Sequence, residues 1–418
     1  MVCLLTNKIN LHCIVMKKIS LLVFLFCFSL VSYSYSVDVP KDGEVEEHYP
    51  TGELSAQRNY KDGKLNGISK SFYQDGPLMS EAVYKNDVLD GVYKTYYEDG
   101  KTYFIKNFKN GVQQGEAREY FDDGKLKSVE NYKDDRLNGV SKYYYENGNL
   151  KYEMNFKNGS LEGPSKEYYD TSILKSEVNY KKDQWDGLIS EYDEQGNLSA
   201  QWNYKDGKRS GLCKVFYSNG QLKWDGQFKA DLLQGVSFTY APNGQIIVEA
   251  NFVNNKLNGN VKEYYDDGVI KRVANYKDDV KQGFLKEYFH DGTMSLERNY
   301  AQGIEVGTSK EYYDNGTLWV LREYTSANHD GVLKEYYRTG ELKQEWPIKG
   351  GLLHGVSKGY FPNKTLMVEE NYVDGNKNGT CRLYYKNSIL AYDDTYENGV
   401  RLKRKAFDET GKLVSEEP

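Results

Sequence analysis

GNVKEYYDDGVIKRVANYKDDVKQ, residues 259–282, is the stretch that decides the fold, because its pattern returns along the chain at one fixed step. Gly occurs at 43, 67, 91, 115, 139, 163, 187, 211, 235, 259, 283, 307, 331, 355 and 379, always 24 residues apart. Fifteen units therefore run from 43 to 402 without insertion or deletion. Self-similarity at a period of this size marks a solenoid-type array, in which each unit buries its apolar face only against its neighbours. Positions within a unit are counted from its first Gly, taken as zero.

Position five is aromatic in 14 of the 15 units, position six in 13 and position seventeen in 14. Position nine is Gly in 12, often as Asp-Gly or Asn-Gly, and position eleven is Leu, Ile or Met in 14. Asp-Gly or Asn-Gly between aromatic and branched residues signals a tight hairpin. The fold class expected is all-β, an elongated single-array solenoid of tandem antiparallel hairpins.

With a two-residue turn at positions eight and nine, facing positions sum to seventeen. Six then faces eleven, three faces fourteen and zero faces seventeen. The choice agrees with charge: in eight units a cation at three meets an acid at fourteen, as in Lys70 with Glu81, Lys142 with Glu153 and Lys286 with Glu297. A three-residue turn with a Gly bulge is the alternative, and it shifts the pairing by one. The two-residue register puts positions six, eleven and seventeen on one face, and three, five and sixteen on the other. Stacking of neighbouring rings is then expected to hold the array together, at about 0.5–1.5 kcal/mol per pair beyond buried area.

The unit resembles the MORN-repeat variant, on the Tyr-Tyr-x-Asp-Gly-x-Leu core at fixed spacing over residues 43 to about 402. That variant is bacterial, and is often grouped with YwqK-family antitoxin-like proteins. The resemblance implies an extended sheet of hairpins with a binding or scaffolding role.

Charge, motifs and the amino-terminal segment bound the function. The 418 residues carry a net charge of −6, with 39 Tyr, 5 Cys and 5 His. Residues 1–36 read as an export signal region. Lys17 and Lys18 precede an apolar run from Ile19 to Val31, Ser34 and Ser36 suit a cut after Ser36, and Met16 is an alternative start. The expected compartment is the periplasm, cell surface or exterior of a bacterium. Residues 37–42 are a short lead-in and 403–418 a degenerate cap. The acidic mature chain argues against nucleic acid, and the apolar run is too short for a membrane span. Cys213 and Cys381, seven units apart, are expected as free thiols.

No Ser, His and Asp set recurs, so no catalytic residue, cofactor or metal ligand is assigned, and the chain is read as no enzyme. Asp at position eight is read as turn chemistry rather than calcium ligation. The candidate binding face is the Lys and Tyr of positions three and five: Lys94, Tyr96, Lys142, Tyr144, Lys166, Tyr168, Lys262, Tyr264, Lys286, Tyr288, Lys310, Tyr312, Lys334 and Tyr336. These cations invite an anionic polymer or lipid headgroups, while their facing acids make a plain solvated surface the favoured reading. The Tyr suit a stacking platform or, structurally, packing on Lys of position twelve. The function expected is an exported, non-enzymatic scaffold binding a protein or cell-surface polymer. An antitoxin-like or immunity partner that neutralises a toxin is the alternative, with phospholipid or membrane-surface association through the Lys and Tyr face as another.

Overall fold

The computed structural model describes residues 41–325 and 329–418, so the export signal region lies outside the described residues. All strands from Asp42–His48 to Leu413–Glu417 belong to one antiparallel sheet, and no helix occurs among the described residues. Each strand pairs with those adjacent to it in the chain, so the sheet grows along the sequence.

The unit starting at Gly139 shows the plan. Its first strand, Gly139–Tyr144, pairs with Leu150–Lys157; a two-residue strand, Ser160–Leu161, then returns along the second before the next unit opens at Gly163. The expected register holds over most of the hairpin: Gly139 faces Phe156, and Lys142 faces Glu153. All eight cation–acid pairs foreseen from the spacing are register partners.

The end of the hairpin differs from the two-residue expectation. Tyr145 N donates to Asn149 O and Gly148 N to Tyr145 O, both at 2.9 Å. The loop is therefore three residues closed by Gly148 at φ +89°, where L side chains are strained. Position five then faces eleven, as Tyr144 faces Leu150, and the register slips back between Tyr143 and Tyr144. Position twelve, here Lys151, is the extra residue of that bulge. The two irregularities cancel, which is why three still meets fourteen. Leu of position eleven consequently shares a face with Tyr of position five, and not with the aromatics of six and seventeen. Lys of position twelve lies over the ring of position six instead of five: Lys151 Nζ is 5.0 Å from the Tyr145 ring centre and Lys271 Nζ 5.5 Å from that of Tyr265.

The second turn joins the units. Asn158 and Gly159 have φ of +52° and +88°, the signs a two-residue type I′ turn demands. Burial is deepest at position two, where Ser141, Ser309 and Cys213 are fully covered although the sheet has a single layer. Small side chains there let those of the surrounding positions close over them. In the middle of the array this face becomes a continuous apolar cluster, with Ile189, Trp202, Tyr204, Cys213, Phe228, Leu233 and Phe252. Cys213 and Cys381 are both free and buried.

Ring stacking along a column is not what ties unit to unit, although single ring pairs such as Trp185 with Tyr204 and Tyr265 with His290 do cross a junction. The ring pairs in the described residues, such as Trp185 with Tyr204 at 4.9 Å, link other positions and never two rings of column six or two of column seventeen. The junction instead uses the hydroxyls. Tyr145 Oη donates to the carbonyl of Tyr168 at 2.9 Å, and Tyr265 Oη to that of Tyr288 at 2.8 Å. Every one of the ten Tyr at position six donates in this way to the following repeat. Asn at position sixteen supplies a second tie. The Gly at position zero interrupts the ladder between units, and Asn131 Nδ2 reaches across to the Val140 carbonyl at 2.6 Å, as Asn59 does to that of Ile68. Polar backbone freed by the irregular junction is thereby satisfied.

Candidate functional site: the Lys and Tyr face of the array

Side chains alternate across a strand, so positions one, three, five, eleven, fourteen and sixteen share one face. Three axial columns result. Position one alternates with Asn of sixteen, the cation of three with the acid of fourteen, and Tyr of five with Leu of eleven. All fourteen candidate residues lie half-buried on this face.

The cations are largely neutralised. Lys142 lies 3.3 Å from Glu153, Lys286 3.2 Å from Glu297 and Lys166 3.8 Å from Glu177. Lys262 reaches back across the junction to Glu249 at 3.0 Å, and Lys334 pairs with Glu323 at 3.3 Å. Lys94 and Lys310 face Ile105 and Leu321 within their own hairpins and Glu81 and Glu297 across the junction. Pairs this exposed are worth at most about 1 kcal/mol each.

Five of the seven candidate Tyr of position five are tied to the same acids or to the junction. Tyr264 Oη donates to Glu249 at 3.1 Å, and burial with that carboxylate pushes its hydroxyl pKa up. Burial and Glu81 raise that of Tyr96. The backbone carbonyls of Tyr96, Tyr168, Tyr288 and Tyr336 receive the hydroxyls of the preceding units' position-six Tyr. Tyr144 and Tyr312 follow units with Phe121 and Phe289 at position six, which have no hydroxyl to give.

The turn columns have their own chemistry. Asn or Asp at position eight accepts from the backbone N two residues on, as Asp99 Oδ1 does from Lys101 N at 3.0 Å. Among the described residues no group of three His, Cys, Asp or Glu side chains is placed to hold a metal ion, and no helix is long and apolar enough to cross a membrane. Shallow hollows exist, one lined by Gly340, Leu342, Tyr360 and Lys364.

Sequence reasoning passed over one column of this face. Position eighteen is Lys in eight successive units, from Lys61 to Lys229 at steps of 24, and again at Lys277 and Lys349. It stands directly opposite position twenty-one, which adds Lys64, Arg136, Lys208 and Lys256. The recurrence of Lys after the Tyr or Phe of position seventeen was the available signal.

The pattern of glycines, paired aromatics and turns matches the model for the MORN repeat variant at residues 41–62, 65–86, 89–110, 113–134, 137–158, 161–182, 185–206, 209–230, 233–254, 257–278, 305–325, 330–349 and 353–374. The chain belongs to the MORN repeat variant family. Membership is compatible with a repeat scaffold that binds a protein or a membrane. No curated protein matches the chain. Among solved structures it is similar to TcdB2-TccC3 without its hypervariable C-terminal region, at 10% identity and a TM-score of 0.14, covering 89% of this chain and 22% of that one. It is also similar to the Photorhabdus luminescens Tc holotoxin pore carrying TccC3-D651A, at 11% identity and a TM-score of 0.14, covering 90% and 22%. The chain thus spans about a fifth of the length of those it resembles, and likenesses this slight carry no argument about function.

Proposed function

We propose that this MORN repeat variant chain is an exported, non-enzymatic scaffold that binds a protein or cell-surface polymer along its extended sheet. The observation that supports the reading is repetition of the exposed columns themselves. Residues of like chemistry recur every 24 residues on one face, so a partner with its own repeating groups meets many weak contacts in series. Export is read from the basic, apolar and small-residue segments of residues 16–36.

The test is recovery of partners from cell-envelope extract on immobilised residues 41–418 and on a half-length array. A partner retained by the full array and lost from the half-length one supports the reading. Equal recovery on both, or recovery on neither, contradicts it. A reporter enzyme active only outside the cytoplasm, fused after residue 36, is expected to be active; an inactive, soluble fusion would remove the export claim.

A further inference from the structure

We propose that the Lys column at position eighteen, with its partners at twenty-one, is a binding track for a flexible linear polyanion. The inference rests on the scaffold reading and names the chemistry of its ligand and the part of the sheet it uses.

From Lys61 to Val280 these two positions hold thirteen cations and no acid. All thirteen are exposed. Eight of the twelve cations of position three have an ion pair, as Lys142 has with Glu153 at 3.3 Å, whereas none of the thirteen has an ion pair or side-chain hydrogen bond in the described residues. Three cross-strand pairs oppose like charges directly: Lys61 with Lys64, Lys133 with Arg136 and Lys205 with Lys208. Such opposition is unfavourable for the sheet on its own, and an anion lying along the column removes it.

Carboxylates do occur in the adjoining turn, but many are committed to backbone. Asp87, Asp135 and Asp183 each accept at 2.7 Å from an amide of the preceding unit. Asp62 and Asp206 in the turns, and Asp42, which faces Lys61 from the preceding strand, temper the field without an ion pair to the column.

Shape selects among anions. Cations recur at about 9.6 Å, twice the strand spacing. A twist of roughly 20° per strand carries the track through about one full turn over its twenty strands. A flat bilayer would touch a few of these Lys at once, whereas a flexible chain follows them all. The neighbouring column of position one holds branched residues such as Val92, Val140 and Leu212, so aromatic platforms for bases do not flank the track.

The test is titration of residues 41–418 with long-chain inorganic polyphosphate at 50 to 200 mM salt. Polyglutamate, single-stranded DNA and anionic phospholipid vesicles serve as the other arms. Replacing Lys85, Lys133, Lys181 and Lys229 by Gln is expected to weaken polyphosphate binding at least tenfold. It should also flatten the logarithmic salt dependence by about 3, at roughly 0.7 per phosphate contact. Replacing Lys142, Lys166, Lys286 and Lys358 by Gln, where acids already neutralise the cations, is expected to change neither. Both variants alter exposed or half-exposed side chains, and an unchanged far-ultraviolet dichroism spectrum shows each is folded.

Binding of polyglutamate with the same loss in the first variant also supports the track, and comparison of the two polymers tells whether phosphate or carboxylate is preferred. No binding of either polymer, equal losses in both variants, or preference for vesicles or DNA would overturn it. If both polymers fail while the immobilised array still recovers an envelope partner, the track is wrong and the scaffold reading stands.

Discussion

Removing a single hydroxyl isolates the tie between units. Tyr145→Phe keeps the ring beneath Lys151 and deletes only the 2.9 Å bond to the Tyr168 carbonyl. A net hydrogen bond of this kind contributes about 0.5–1.5 kcal/mol. The ring itself is tolerated, since Phe121, Phe289 and Phe361 occupy the same position in other units. Replacing Tyr145, Tyr169, Tyr217 and Tyr265 together should cost about 2–6 kcal/mol if the terms add, spread over four junctions. An array of weakly coupled units does not unfold in one step, so a global midpoint is the wrong readout. Native-state hydrogen exchange of amides in Gly163–Tyr168 reads the junction directly. In Tyr145→Phe those amides should lose protection equivalent to about 0.5–1.5 kcal/mol, while amides three or more units away keep theirs. The reverse change, Phe121→Tyr, should gain a similar amount by supplying a donor to the Tyr144 carbonyl. Unchanged protection in the quadruple variant would refute the idea that the hydroxyls join the units.

Three further outcomes are expected from the same geometry. Ser172, Lys364 and Ser388 hold the left-handed turn position at φ of +71°, +69° and +67°, so Gly at each should stabilise its hairpin by about 0.5–1 kcal/mol, read by exchange within that hairpin, with no gain contradicting the three-residue turn. Asn131→Asp should destabilise its junction more than Asn131→Ala, because a carboxylate would face the Val140 carbonyl where the amide now donates at 2.6 Å; hydrogen exchange at that junction ranking the two the other way would remove that tie. Tyr152, Tyr204 and Tyr372 have hydroxyl pKa values pushed up to about 12, with burial as the leading cause. The folded state therefore keeps protons that the unfolded chain releases near pH 10, so their stabilisation is intact below about pH 10 and lost as pH rises towards 12. A tyrosinate absorbance titration of the folded array in which every Tyr ionises near pH 10 would contradict it.

The period, the hairpins and most of the register were legible because each depends on local chemistry that repeats. Gly at nine after Asp or Asn fixes a turn, and Lys142 opposite Glu153 fixes a pairing. The turn type was not legible, because Asn147-Gly148 serves a two-residue loop and a bulged one equally well. The compensating bulge at Lys151 then hid the difference everywhere except at positions five, six and eleven, so only Leu150 and its equivalents changed faces. The junction was misread in kind. A column of Tyr suggests stacking, yet its donor capacity is what the structure uses, and the excess of Tyr over Phe at position six was the clue. On the candidate face, identical Lys residues differ by their neighbours: Lys142 is answered by an acid and Lys133 stands opposite Arg136, a distinction visible only once the second turn's register is known.

The central claim is that hairpins of one kind are added end to end, each interacting only with the next. Deletion of residues 139–162, which joins Asn138 to Gly163 in the same phase of the repeat, tests it most directly by hydrogen exchange across the shortened chain. The expected result is a folded array whose amides in Gly43–Tyr96 and in Leu342–Tyr396 keep their protection, with changes confined to the units flanking the new join. Loss of protection throughout would contradict the claim, since a chain closed upon itself could not surrender one of its members without consequence at a distance.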